Sequence, residues 1–82
     1  MIPTLGRVVH YVGMYGINAT RAAIVSCSLA DLIPEGDAPA LDSEMHVHLI
    51  VFTAGEAGIF PEMNIPYSEG GEPGTWHWPS RV

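Results

Sequence analysis

The nine residues 45–53 (MHVHLIVFT) decide the fold that this sequence predicts. Side chains of an extended chain point alternately to opposite faces, which gives one face of Met45, Val47, Leu49 and Val51 and another of His46, His48, Ile50 and Phe52. Both faces become apolar toward the C-terminal end of the stretch. We therefore expect a strand that is covered on both sides at that end.

Other extended stretches lie on both sides of this strand. Residues 6–13 (GRVVHYVG) are rich in β-branched and aromatic side chains between two glycines, which predicts a first strand. Residues 59–60 predict a short strand that ends at Pro61, because proline cannot donate a hydrogen bond to a neighbouring strand. Residues 64–67 (NIPY) predict a last strand at a sheet edge, since Pro66 also lacks an N–H.

Residues 21–33 fit two patterns. As a strand, the segment places on one face Ala23, Val25, Cys27 and Leu29. As a helix, it aligns another set, with Asn18 as a possible N-cap: Ala22, Val25, Leu29, Leu32 and Ile33. The central Ile, Val, Ser and Cys residues are middling or poor helix formers, which favours the strand.

Short strands separated by turns every 8 to 12 residues predict an all-β fold. We expect a small SH3-like barrel or sandwich of about five short strands with an extended C-terminal tail. Its domain would span residues 1–69, with an acidic surface loop at 34–44, and residues 70–82 would form a hinge and a Trp-rich tail. The predicted barrel core consists of Val8, Val25, Val47, Leu49 and Val51.

Composition limits the function. The chain has 82 residues, a net charge of −6 and only three basic residues, all arginine. The absence of lysine excludes Schiff-base chemistry, a P-loop lysine and a polybasic membrane patch, and the acidity argues against a nucleic-acid partner. The longest mostly apolar run, Ala22 to Ala30, is too short to span a membrane.

Stability is a second constraint. A domain of this size buries only about 60% of its unfolded surface, and Cys27, the single cysteine, cannot form an internal disulfide. The single cysteine indicates synthesis in a reducing cytoplasm. We therefore expect oligomerisation or docking on another protein to supply further burial.

Catalytic and metal-binding patterns are weak. His46 and His48 lie about 7 Å apart along one strand face, but no spacing supplies the third ligand that zinc requires. Cys27 lacks the cationic setting of a reactive thiolate and is interpreted as core filler. We predict no bound metal, no cofactor and no enzymatic activity.

Trp76 and Trp78 alternate around His77, so both indoles project the same way from an extended segment. Each can bury about 200 Å². Two interpretations stay open: the pair folds back over the open end of its own barrel, or it inserts into another molecule, as tryptophans often do at interfaces. A nucleic-acid stacking platform would need a cationic groove, which Arg81 alone cannot make.

Four stretches of this chain resemble a group of small tailed-phage proteins, many of them from phages of actinobacteria. They are residues 2–11 (IPTLGRVVHY), 21–25 (RAAIV), 65–70 (IPYSEG) and 73–79 (PGTWHWP). The resemblance implies a phage origin and a non-enzymatic role, and it carries over no catalytic or ligand residue.

The expected function is therefore that of a structural interaction module, a capsid decoration or minor capsid protein. It would be made in the host cytoplasm and located in the virion, with phage capsid protein or its own copies as partners and neither nucleic acid nor membrane. The predicted partner-binding residues are Tyr67, Trp76, His77 and Trp78. The alternative is a soluble host-takeover protein that binds and inhibits a bacterial protein.

Overall fold

A computed structural model describes residues 2–13, 20–33, 36, 38–52 and 58–79. These residues form five strands: β1 (Val8–Val12), β2 (Thr20–Cys27), β3 (Val47–Phe52), β4 (Ile59–Ile65) and β5 (Thr75–His77). The strand prediction is confirmed for residues 21–27, because β2 runs from Thr20 to Cys27, whereas Leu29 lies in the 3-10 turn Leu29–Asp31 that follows it. Asn18, the possible N-cap of the helical alternative, lies outside the described residues, as do Pro34, Glu35 and Asp37 of the predicted acidic loop and residues 80–82 of the predicted tail.

The five strands form one antiparallel sheet in the order β4-β3-β2-β1-β5. Strands β1 to β4 follow one another as neighbours, and β5 returns to pair with β1. The sheet curls into a half-barrel, which confirms the all-β prediction and is compatible with an SH3-like barrel. The curl gives the sheet an inner face that holds the core and an outer face that points away from it.

The inner face carries one continuous apolar cluster: Val9, Tyr11, Ala23, Val25, Val47, Leu49, Val51, Ile65 and Trp76. Four of the five predicted core residues belong to it. Val8 does not, because it points to the outer face and is 54% exposed, while its neighbour Val9 is fully buried. Val9 pairs with Ala23 and Val8 pairs with Ile24, so strand alternation assigns the two valines to opposite faces.

Strand β4 differs from the sequence prediction, because it continues through Pro61 to Ile65. Pro61 lies opposite Ile50, and β4 is an edge strand, which is where a proline is tolerated. Val47 pairs with Ile65 but Leu49 pairs with Glu62, so two residues of β4 oppose one of β3. This β-bulge contains Asn64, whose φ of 54° lies in the left-handed region.

The predicted hinge and tail contain the last strand of the same sheet. Gly74 has a φ of 80° and its N–H donates to the Val12 carbonyl at 2.7 Å, which directs the chain alongside β1. On the other side of β5, the Trp76 N–H donates to the Pro66 carbonyl at 3.0 Å, and the Ser68 N–H donates to the Trp76 carbonyl at 2.9 Å. Strand β5 is thus held from both sides by residues of the segment 1–69.

Candidate functional site

Trp76, one of the four predicted partner-binding residues, lies in the core of its own chain. Its side chain is fully buried, and its Nε1–H donates to the Met45 carbonyl at 2.9 Å. The ring of Tyr67 lies 4.9 Å away and that of Trp78 lies 5.1 Å away, both edge to face. Trp76 therefore packs against its own chain, which is the first of the two interpretations of the Trp pair. We do not propose Trp76 as a partner-binding residue.

Trp78 and Tyr67 lie at the border of this core and are partly exposed. The Arg7 guanidinium carbon lies 5.9 Å from the centre of the Trp78 ring, within the range of a cation–π contact. The Tyr67 hydroxyl donates to Glu69 Oε1 at 2.8 Å, and this hydrogen bond raises the pKa of Tyr67. We call Arg7, Tyr67 and Trp78 the aromatic edge, which combines partly exposed aromatic surface with the Arg7 guanidinium and has the Glu69 carboxylate beside it.

His77 lies on the outer face of β5, opposite His10 of β1. The two rings are 5.5 Å apart and nearly perpendicular. His77 Nδ1 is buried and has no hydrogen-bond partner among the described residues. Burial lowers the pKa of His77, and the nearby His10 lowers it further.

The lowered pKa of His77 predicts a pH-dependent stability. The unfolded chain binds a proton near the ordinary histidine pKa, whereas the folded chain resists it, so stability is lost as the pH falls through that range. We expect the urea midpoint to decrease between about pH 7 and about pH 5. His77→Gln should flatten this dependence, whereas His10→Gln should keep most of it, because burial is the larger cause. Equal slopes for wild type and His77→Gln would contradict the assignment.

A second surface was not among the predicted sites. Strand alternation and register place on the outer face Val8, His10, Val12, Thr20, Ala22, Ile24, Ile50, Phe52, Ile59, Pro61, Met63, Thr75 and His77, of which Val12 is fully buried. Its central row runs across four strands, from Val8 to Ile24, Ile50 and Pro61, which pair successively. The surface contains no Asp, Glu, Lys or Arg. Four of its apolar side chains are 40% to 59% exposed: Val8, Phe52, Ile59 and Met63.

The sequence contains a signal for this surface. The apolar residues on both faces of residues 49–52 predict a strand covered on two sides, and the inner cover is present. On the outer side, the loop at 38–44 covers only the end of β3 near His48, whose Nε2 lies 2.6 Å from the Pro39 carbonyl oxygen. Ile50 is only partly buried and Phe52 is 40% exposed, so this part of the face lacks the second cover among the described residues.

The histidine pair considered for metal binding has other partners. His48 is buried, and its Nδ1 accepts the Asn64 N–H at 3.0 Å. The proton of a neutral His48 ring is therefore on Nε2, which donates to Pro39. His46 Nδ1 lies 2.7 Å from Ser43 Oγ. No group of three potential metal ligands occurs in the part of the chain that the structure describes.

Cys27 is partly buried at the end of β2. Burial raises the pKa of its thiol, and the Asp31 carboxylate raises it further. A raised pKa leaves little thiolate at neutral pH, so this environment disfavours nucleophilic chemistry at Cys27. The carboxylate of Asp31 instead accepts hydrogen bonds from the backbone and hydroxyl of Ser28, at 3.0 and 2.7 Å.

Comparison with protein-family models, curated proteins and solved structures finds no match for this chain. Among the described residues, no helix has the length and hydrophobicity needed to cross a membrane.

Proposed function

We propose that this protein is a non-enzymatic structural module of a phage particle, bound to capsid protein as a decoration or minor capsid subunit. The observation that carries the proposal is the outer face, an uncharged apolar surface that extends over four strands. Surfaces of this kind mark sites of protein association. The phage context comes from the resemblance of residues 2–11, 21–25, 65–70 and 73–79 to tailed-phage proteins.

The aromatic edge is the part of the predicted site that we assign to the capsid contact. Tyr67 and Trp78 are partly exposed there, whereas Trp76 is fully buried and His77, which is also partly exposed, lies on the outer face. Tryptophan, tyrosine and arginine are the residues most enriched at interface hot spots, and the aromatic edge provides all three: Arg7 contacts Trp78, and Trp78 and Tyr67 both contact Trp76. A docked protein needs little stability of its own, since binding adds to the stability of the folded state.

Mass spectrometry of purified particles tests this function. We expect the chain in particles at a fixed ratio to the capsid protein, and Trp78→Ala should reduce that ratio at least about 10-fold, as expected for a hot-spot residue. The matched control is Ile33→Ala, because Ile33 is 67% exposed and belongs neither to the aromatic edge nor to the outer face. Circular dichroism should show that both variants are folded.

Absence of the wild-type chain from particles would contradict the proposal. Capture of a defined bacterial enzyme or regulator by the purified protein would then support the alternative, a host-takeover protein.

A further inference from the structure

The outer face has the properties of one half of a sheet-on-sheet interface. We propose that two copies of this chain pack their outer faces together around a two-fold axis, each sheet serving as the missing cover of the other. This inference rests on the proposed function in one respect, namely that the outer face is covered by protein. It identifies that protein as a second copy, so the unit that docks on a particle through the aromatic edge is a dimer.

Charge is the first argument for a second copy. The chain carries a net charge of −6, and all of its described carboxylates lie outside the outer face: Asp31, Asp42, Glu44, Glu62, Glu69 and Glu72. Two copies that meet through other surfaces would bring like charges together, whereas the outer faces can meet without this repulsion. A different protein selected by charge would bind the acidic surfaces instead. A highly apolar interface without charged residues is typical of homodimers.

Shape is the second argument. Ala22 of β2 pairs with His10 of β1. On its other side, Ala23 pairs with Val51 of β3, so the next residues in the same register, Ala22 and Phe52, are neighbours. The small Ala22 therefore forms a depression next to Phe52, whose side chain is 40% exposed. In a two-fold interface each copy presents the same surface, so the Phe52 of each copy can occupy the depression at Ala22 of the other. Stacked sheets approach to about 10 Å, which such interdigitation permits.

The available area sets the expected strength. Four strands about 4.8 Å apart, with about five residues each on a 3.3 Å rise, give a projected face of roughly 300 Å² and an accessible area of about 500 Å². Two such faces bury about 1,000 Å² in total, at the lower limit for a specific complex. We therefore expect reversible association with a Kd of about 10 μM rather than a permanent dimer.

Analytical ultracentrifugation of the full chain tests the dimer. Sedimentation equilibrium should give the monomer mass of 8.8 kDa at about 1 μM and approach twice that mass at about 300 μM. Phe52→Asp should raise the Kd at least about 100-fold, because it places a carboxylate where the Phe52 side chain enters the interface. The matched control is Leu5→Asp, which adds the same charge at a position that is 60% exposed and outside the strands. It should leave most of the association intact.

A second substitution tests the same surface independently, in case Phe52→Asp prevents folding. Ile59→Lys changes a side chain of the outer face that is 59% exposed, and it should also prevent association while retaining the circular dichroism spectrum of the wild type. The dimer proposal is overturned if the wild type remains a monomer throughout the concentration range. It is also overturned if both outer-face variants associate as the wild type does.

The two proposals fail separately. A monomeric protein that is present in purified particles would retain the function and exclude the dimer. A dimer that is disrupted by Phe52→Asp but absent from particles would retain the interface and exclude the phage-particle function.

Discussion

Trp76→Ala is expected to remove a large part of the free energy of unfolding of this protein. Replacement of a fully buried tryptophan by alanine costs about 3–5 kcal/mol, and an 82-residue domain has a free energy of unfolding of about 4–12 kcal/mol. The cavity would lie between Tyr67 and Trp78, which both pack against the lost ring. The Met45 carbonyl would also lose its hydrogen bond from Nε1.

The measurement is urea denaturation followed by far-ultraviolet circular dichroism. The matched control, Trp78→Ala, removes the same side chain type two residues away, where it is only partly buried, and it should cost about 1–2 kcal/mol. Trp76→Phe should lie between the two, because it keeps much of the ring volume and loses the hydrogen bond to Met45. Equal losses for Trp76→Ala and Trp78→Ala would show that Trp76 does not have the central packing role described above.

Local sequence patterns predict the strands better than they predict which face is covered. The alternation predicted for residues 45–53 is confirmed over Val47–Phe52, which form β3, and the β-branched residues of β2 are confirmed as a strand. Val8 and Val9 are adjacent and chemically identical, so composition cannot decide which one faces the core. The decision comes from pairing with β2, where Val9 faces Ala23.

The position of the Trp segment depends on contacts far apart in sequence. The pattern predicts that Trp76 and Trp78 project together, and their rings do lie 5.1 Å apart. It does not identify the surface that receives them. That surface is created when β5 pairs with β1 and the Trp76 indole reaches Met45, 31 residues earlier in the chain.

The environments of Pro61 and His48 also depend on contacts that are far away in the sequence. Pro61 predicts the end of a strand, but an edge position allows β4 to continue through it. The sequence places His48 beside His46 on one face of the predicted strand and indicates no cover for it, yet its side chain is only 2% exposed. Its burial arises from the loop at 38–44 and from the bulge at Asn64, neither of which is apparent in residues 45–53.

His48→Ala is expected to cost about 2–4 kcal/mol, because it leaves two backbone groups without partners in a buried place. The Asn64 N–H belongs to the β-bulge, and the Pro39 carbonyl belongs to the loop that covers this end of the outer face. The Asn64 side chain strengthens the same connection, since its Oδ1 accepts the Asp42 N–H and its Nδ2 donates to Asp42 Oδ2. The His48 ring thus joins β3, β4 and the loop.

Urea denaturation combined with amide hydrogen exchange at Asn64 measures this role. The control His46→Ala removes a partly buried ring with one hydrogen bond, to Ser43, and should cost less than about 1 kcal/mol. The two bonds of His48 can be separated, because an asparagine amide lies near the position of Nδ1 and a glutamine amide near that of Nε2. His48→Asn should preserve protection of the Asn64 amide, whereas His48→Gln should lose it and retain the bond to Pro39. If all three His48 variants exchange the Asn64 amide at the wild-type rate, the ring does not hold the bulge.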